Sequence, residues 1–118
     1  MTERPILVID DDPAILSTVA DILEFEGYAV ERATNGAEGL ALLERVRPRL
    51  VLLDMRMPVL DGWGFARALR ERGITLPILV MTAAQDARRW AQEIGAQAYI
   101  AKPFDLSDLL TTVEGLVR

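Results

Sequence analysis

Residues 50–58 read LVLLDMRMP: four apolar residues, one carboxylate, and a short loop closed by proline. A run of this kind, with no polar alternation, fits a strand buried on both faces, as in a parallel sheet covered by helices. Asp54 then stands where that strand stops. A charge in such a place is costly unless water, a hydrogen-bond donor or a cation meets it. The other segments are therefore read for what they bring to Asp54.

Working outward, residues 6–9 (ILVI) form a second apolar run, ending in Asp10, Asp11 and Asp12 ahead of Pro13. Pro13 suits a first helical turn with Asp12 as N-cap, and Leu16, Val19, Ala20 and Leu23 make one helical stripe that Gly27 ends. Residues 28–33 (YAVERA) alternate and carry Glu31 and Arg32, the pattern of an outer strand with one wet face. Asn35 and Glu38 read as a capping pair for a helix with Ala37, Leu40, Ala41 and Leu43 inward, stopped before Pro48.

Beyond the central strand, Asp61 and Gly62 open a helix with Phe65, Ala66 and Leu69 inward, and Gly73 closes it. Residues 77–81 are another buried run ending at Thr82, followed by a short helix over about 86–94 that closes at Gly95. Residues 98–101 read as a last strand ending at Lys102 and Pro103. Asp105 caps a final helix, with Phe104 and Leu109 at staple positions and Leu106, Leu109, Leu110, Val113 and Val117 as its apolar stripe.

Five strands alternating with five helices predict an α/β fold, a doubly wound five-stranded parallel sheet of order 2-1-3-4-5 in the flavodoxin-like manner. At 118 residues the chain reads as one domain, residues 1–118. Its formal charge of -5 argues against direct nucleic-acid binding, because phosphates would be repelled. The polar start and short apolar runs predict neither signal peptide nor membrane span, so a cytoplasmic location is expected. With no Cys and no His, thiol and imidazole chemistry is excluded. Of thirteen cations only Lys102 is lysine.

The predicted fold gathers Asp10, Asp11, Asp54, Thr82 and Lys102 at one rim, beyond the carboxyl ends of the strands. Singly, each has a plain structural explanation: a cap, a turn acid, a strand-end hydroxyl, a solvated cation. Tyr99 alone reads as core. Together they describe phosphate or metal chemistry. Two carboxylates about 4 Å apart repel by roughly 4 kcal/mol at an effective dielectric of 20, so converging acids need a counterion. An all-oxygen site with room for water and phosphate suits Mg²⁺. Asp54 would then be a carboxylate nucleophile toward a phosphoryl group, with Lys102 and the Thr82 hydroxyl meeting the phosphoryl oxygens.

The segments ILVIDDDP, LVLLDMRMPVLDG, ILVMTA and GAQAYIAKPFD, in order over nearly the whole chain, resemble the receiver domain of two-component response regulators, the chemotaxis-regulator-like fold. The resemblance implies that Asp54 is the phosphoacceptor and that Asp10 and Asp11 are the acidic pair. Asp11, Asp54 and the main-chain carbonyl of Arg56 would hold Mg²⁺, with Asp10 beside them. Thr82 and Tyr99 would be a switch pair, and Lys102 would bind phosphate through a strand end whose bond to Pro103 is cis. The implied donor is a phosphohistidine on a histidine kinase or phosphotransfer protein, and the implied reader is a downstream effector protein or domain. The implied switching surface is the fourth helix, fifth strand and fifth helix.

Two departures from that pattern matter. The segment between Thr82 and Gly95 is about two residues short, so the expected assembly is a monomer or a weak phosphorylation-dependent dimer. Arg56 stands two residues past the phosphoacceptor, where its guanidinium is expected to lean over the phosphoryl group and slow attack by water. Three competing readings remain at this stage. In a haloacid-dehalogenase-like phosphatase Asp10 and Asp12 would form a D-x-D pair with Asp10 as nucleophile. A flavodoxin-like FMN site would need hydroxyl and glycine donors in place of three acids. A constitutive docking domain would never be phosphorylated.

Overall fold

The computed structural model describes residues 4–118; the polar opening at residues 1–3 lies outside them. The order of elements is β1 (Ile6–Ile9), α1 (Pro13–Phe25), β2 (Val30–Ala33), α2 (Gly36–Leu42), β3 (Leu50–Asp54), α3 (Gly62–Glu71), β4 (Ile78–Ala83), α4 (Ala87–Ile94), β5 (Ala98–Lys102) and α5 (Leu106–Val117). All strand pairs are parallel, and the sheet order is β2-β1-β3-β4-β5. Among the described residues no helix is long and apolar enough to cross a membrane.

Every residue of β1 and β3 is buried, which is what an uninterrupted apolar run means when helices cover both faces. Alternation sorts these strands into two cores. Val51, Leu53, Ile78 and Val80 face Leu40, Phe65, Leu69, Trp90 and Ile94 of α2, α3 and α4. Leu50, Leu52, Leu79 and Met81 face Leu16, Val19, Leu23, Leu109 and Val113 of α1 and α5. Each such side chain contributes about 1.5–3 kcal/mol of burial. The outer strand β2 is only partly buried, as its alternation predicts.

The caps fall where the sequence places them. Asp12, Asn35, Asp61 and Asp105 each accept hydrogen bonds from the first turn of α1, α2, α3 and α5. Gly73 and Gly95 follow α3 and α4 at φ 68° and 69°, the left-handed turn that an L side chain resists.

Three expectations need correction. Helix α2 ends at Leu42, well short of Pro48, and its inner face is Gly36, Gly39, Leu40 and Leu42, while Ala37 and Ala41 are exposed. A Cβ on Gly39 would lie 2.6 Å from Ile9 Cδ1, so the helix approaches the sheet through a glycine that a hydrophobic stripe does not count. Leu106 is exposed at the first position of α5, and only Leu109 and Val113 of that stripe are fully inside. Strand β2 begins at Val30, two residues later than the alternation implied.

Candidate functional site

The rim is assembled by strand parity. Asp10 follows Ile6 and Val8, Asp54 follows Leu50 and Leu52, and Lys102 follows Ile100, all alternate positions on the α1/α5 side of the sheet. Thr82 continues Ile78 and Val80 on the other side. Asp10 is fully buried, and both its oxygens are engaged. Its Oδ1 accepts from the Asp12 N–H at 2.9 Å, and its Oδ2 accepts from Lys102 Nζ at 2.8 Å. The same ammonium lies 3.5 Å from Asp54 Oδ1. Lys102 therefore bridges the ends of the first and third strands, and its bond to Pro103 is cis.

Carboxylate oxygens of Asp10, Asp11 and Asp54 all lie within 4.8 Å of one another. Asp12 is turned away: its Oδ1 accepts from Ala14 N at 2.9 Å and Ile15 N at 3.3 Å, so it serves the helix and not the cluster. Asp10 and Asp12 thus do not converge as a phosphatase D-x-D pair. The crowding shows in Asp54, whose pKa is pushed up to about 7, first by burial and next by the neighbouring charge of Asp10, with Lys102 pulling the other way. An aspartate in this condition gains strongly from a cation. Three converging oxygen donors of this kind fit a hard divalent ion such as Mg²⁺.

The loop after Asp54 is held by α3. Gly62 N donates to Met55 O at 3.0 Å, and a Cβ on Gly62 would lie 2.8 Å from Met55 Cα, so no larger residue fits without movement. Within that loop Val59 takes φ 69° and is exposed, a strained conformation for a β-branched residue. Thr82 is buried, and among the described residues its hydroxyl makes no hydrogen bond. Tyr99 is 48% exposed on β5, so it is not a core residue. Tyr99 pairs with Val80 and Ala101 pairs with Thr82, which sets Tyr99 one pleat from Thr82 on the same face of the sheet.

Arg56 is not found leaning on Asp54. Its guanidinium carbon lies 5.4 Å from the ring centre of Trp90 on α4. Trp90 meets Trp63 of α3 edge-on at 4.8 Å, and Trp63 Nε1 donates to Glu93 Oε1 at 2.9 Å. This group was missed in the sequence reading. Its only signal there is that the chain's two tryptophans fall on consecutive predicted helices, which does not say that they touch.

The family model for the response regulator receiver domain matches residues 6–114. The chain belongs to this family. Among curated receiver-containing relatives, Response regulator MprA of Mycobacterium sp. (strain KMS) is 44% identical over 115 residues, covering 96% of this chain and 50% of that protein. The DNA-binding dual master transcriptional regulator RpaA of Synechocystis is 40% identical, covering 96% of this chain and 48% of that protein. This receiver chain spans about half the length of the curated relatives it matches. Among solved receiver structures, chemotaxis protein CheY4 of Vibrio cholerae superposes with TM-score 0.86 at 30% identity, covering 98% of this chain and 99% of that one. The receiver domain of NtrX from Brucella abortus gives TM-score 0.86 at 31% identity, covering 95% and 97%. Membership makes this receiver a signalling domain, not an enzyme that turns over an external substrate.

Proposed function

We propose that this receiver is a phosphorylation-dependent switch in which Asp54 is the phosphoacceptor. The observation that carries the reading is the meeting of Asp10, Asp11 and Asp54 within 4.8 Å, with Lys102 reaching both Asp10 and Asp54. Asp10, Asp11, Asp54 and the Arg56 carbonyl are the groups that would hold Mg²⁺. When bound, the ion supplies the positive charge that lets an anionic phosphoryl group approach three carboxylates.

The donor is a phosphohistidine on a histidine kinase or phosphotransfer protein. An Asp54 oxygen attacks phosphorus, the phosphorus–nitrogen bond breaks, and the imidazole leaves with its electron pair and takes up a proton. The product is an aspartyl phosphate carrying nearly two negative charges. Lys102 neutralises one side of it, and the free Thr82 hydroxyl donates to another. Two or three charge-assisted bonds of about 1.5–3 kcal/mol each are enough to reverse a 1:99 equilibrium, which takes about 5.5 kcal/mol. Withdrawal of Thr82 opens space one pleat away, toward which Tyr99 turns, and the surface of α4, β5 and α5 changes for a downstream effector.

The donor's landing place lies beside the acids. A groove of about 490 Å³ is lined by Ile15, Thr18, Val19, Lys102, Phe104 and Leu106. It is largely apolar, with Thr18 and Lys102 as its polar members, and Lys102 reaches Asp54, so a helix of the donor lying in it would carry its histidine to the rim. The exposure of Leu106 has its use here. Cytoplasmic location accords with such a donor.

The test is incubation of the chain with Mg²⁺ and acetyl phosphate, followed by mass spectrometry. One phosphoryl group is expected on the parent and none on Asp54→Asn. Equal labelling of both proteins would reject Asp54.

A further inference from the structure

Two guanidiniums share one indole at the start of α4. Arg56 lies 5.4 Å and Arg89 5.9 Å from the centre of the Trp90 ring. The two cations are not equally held. Arg89 pairs with Asp86 at 2.8 Å, whereas among the described residues Arg56 has no carboxylate partner and rests on the ring alone. The ring itself is fixed. Trp90 is 6% exposed, braced edge-on by Trp63, whose indole N–H is tied to Glu93 one turn further along α4. A solvent-exposed arginine with a rigid resting place and no anion is a charge waiting for one.

The backbone of Arg56 stands two residues from Asp54, so their Cα atoms are at most about 7.6 Å apart. A long guanidinium side chain spans that gap. A phosphoryl group offers it a bidentate, charge-assisted contact, which is stronger than a cation–π contact at a solvent-exposed position.

We propose that Trp90 is a positioning residue that holds Arg56 away from Asp54 at rest, and that phosphorylation draws the guanidinium from the indole onto the phosphoryl oxygens. This rests on the reading of Asp54 as phosphoacceptor. It adds two things: Arg56 shields the phosphoryl group from water only after leaving Trp90, and α4 senses phosphorylation through its own tryptophan, on a route separate from Thr82 and Tyr99.

The two partners then act with opposite sign. Arg56→Ala removes the shield, so the phosphoryl group is lost faster. Trp90→Leu removes the competing site, so it is lost more slowly, by about two- to fivefold for a contact of this class. Trp90→Phe keeps an aromatic ring in the core and shifts the rate the same way by less, which guards against misfolding of the leucine variant. General loosening of the fold would move all three in one direction.

The deciding measurement uses Trp63→Phe, so that Trp90 is the sole tryptophan and is excited selectively over Tyr28 and Tyr99, with Mg²⁺ and beryllofluoride as a phosphoryl mimic. Fluorine NMR reports mimic binding independently. Trp90 emission is expected to change on binding in this background and to change less when Arg56→Ala is added, although that variant still binds the mimic. An emission change that survives Arg56→Ala undiminished overturns the proposal while leaving Asp54 as acceptor. Absence of the bound-fluorine signal in the parent removes the phosphoacceptor reading, and this inference with it.

Discussion

Strands β3 and β5 have five residues each and end in the two groups that meet at the rim, Asp54 and Lys102, yet they are built differently. Every residue of β3 is buried between two neighbouring strands, whereas β5 lies at the sheet edge with only Ile100 buried. The acid is set in a fully enclosed inner strand and its counterion in a partly exposed edge strand. A carboxylate that must be aimed gains from a rigid support. A group that must respond gains from a place where movement is cheap.

Four measurements break or sharpen this contrast. Leu52→Ala on β3 empties a fully enclosed site and should lower unfolding free energy in urea by about 2–5 kcal/mol; a loss below 1 kcal/mol would mean that β3 is not the rigid member. Gly62→Ala, which drives a methyl group against the backbone following Asp54, should cost about 1–3 kcal/mol and slow phosphorylation at the same time.

The third measurement concerns pH. Asp54 titrates near 7 when folded but near the ordinary aspartate value when unfolded. Between about pH 4 and 7 the folded protein therefore holds a proton that the unfolded chain has released. Without Mg²⁺, the Asp54 contribution makes stability fall as pH rises through that window, by at most about 1.4 kcal/mol per pH unit. Asp54→Asn should flatten this part of the profile, and Mg²⁺ should do the same by favouring the ionised form. Denaturant titrations across the window check the slope, and a rise in its place would contradict the burial of the acid. Smallest is Tyr99→Ala on β5, expected to cost about 1 kcal/mol because the ring is already half in water. Effector binding by the phosphorylated variant should nonetheless suffer.

The parts of the molecule that were legible in the sequence share a physical cause. Strands β1, β3 and β4 are continuous apolar runs with a polar residue at the end, and in a doubly wound fold strand ends converge whatever the loops do. Asp10, Asp11, Asp54, Thr82 and Lys102 could thus be placed at one rim from the amino-acid order alone. Helix α2 was misread in part because its contact surface includes Gly36 and Gly39 beside Leu40 and Leu42, and the value of the glycines lies in the space they leave and not in hydrophobicity. Leu106 fits the period of α5, but periodicity does not reveal that at the first position of the helix the side chain is left half in solvent. The resting place of Arg56 on Trp90 was beyond reach, since residues 34 apart in sequence meet only through the packing of α3 on α4.

Lys102 is covalently part of the edge strand that carries Tyr99, three residues before it. Any pull on the ammonium is therefore a pull on that strand, which has one hydrogen-bonded neighbour to resist it and not two. The lysine is a tether as well as a counter-charge: a fraction of an ångström gained toward any new anion at Asp54 would be delivered, through extended backbone, to an aromatic ring already half in solvent.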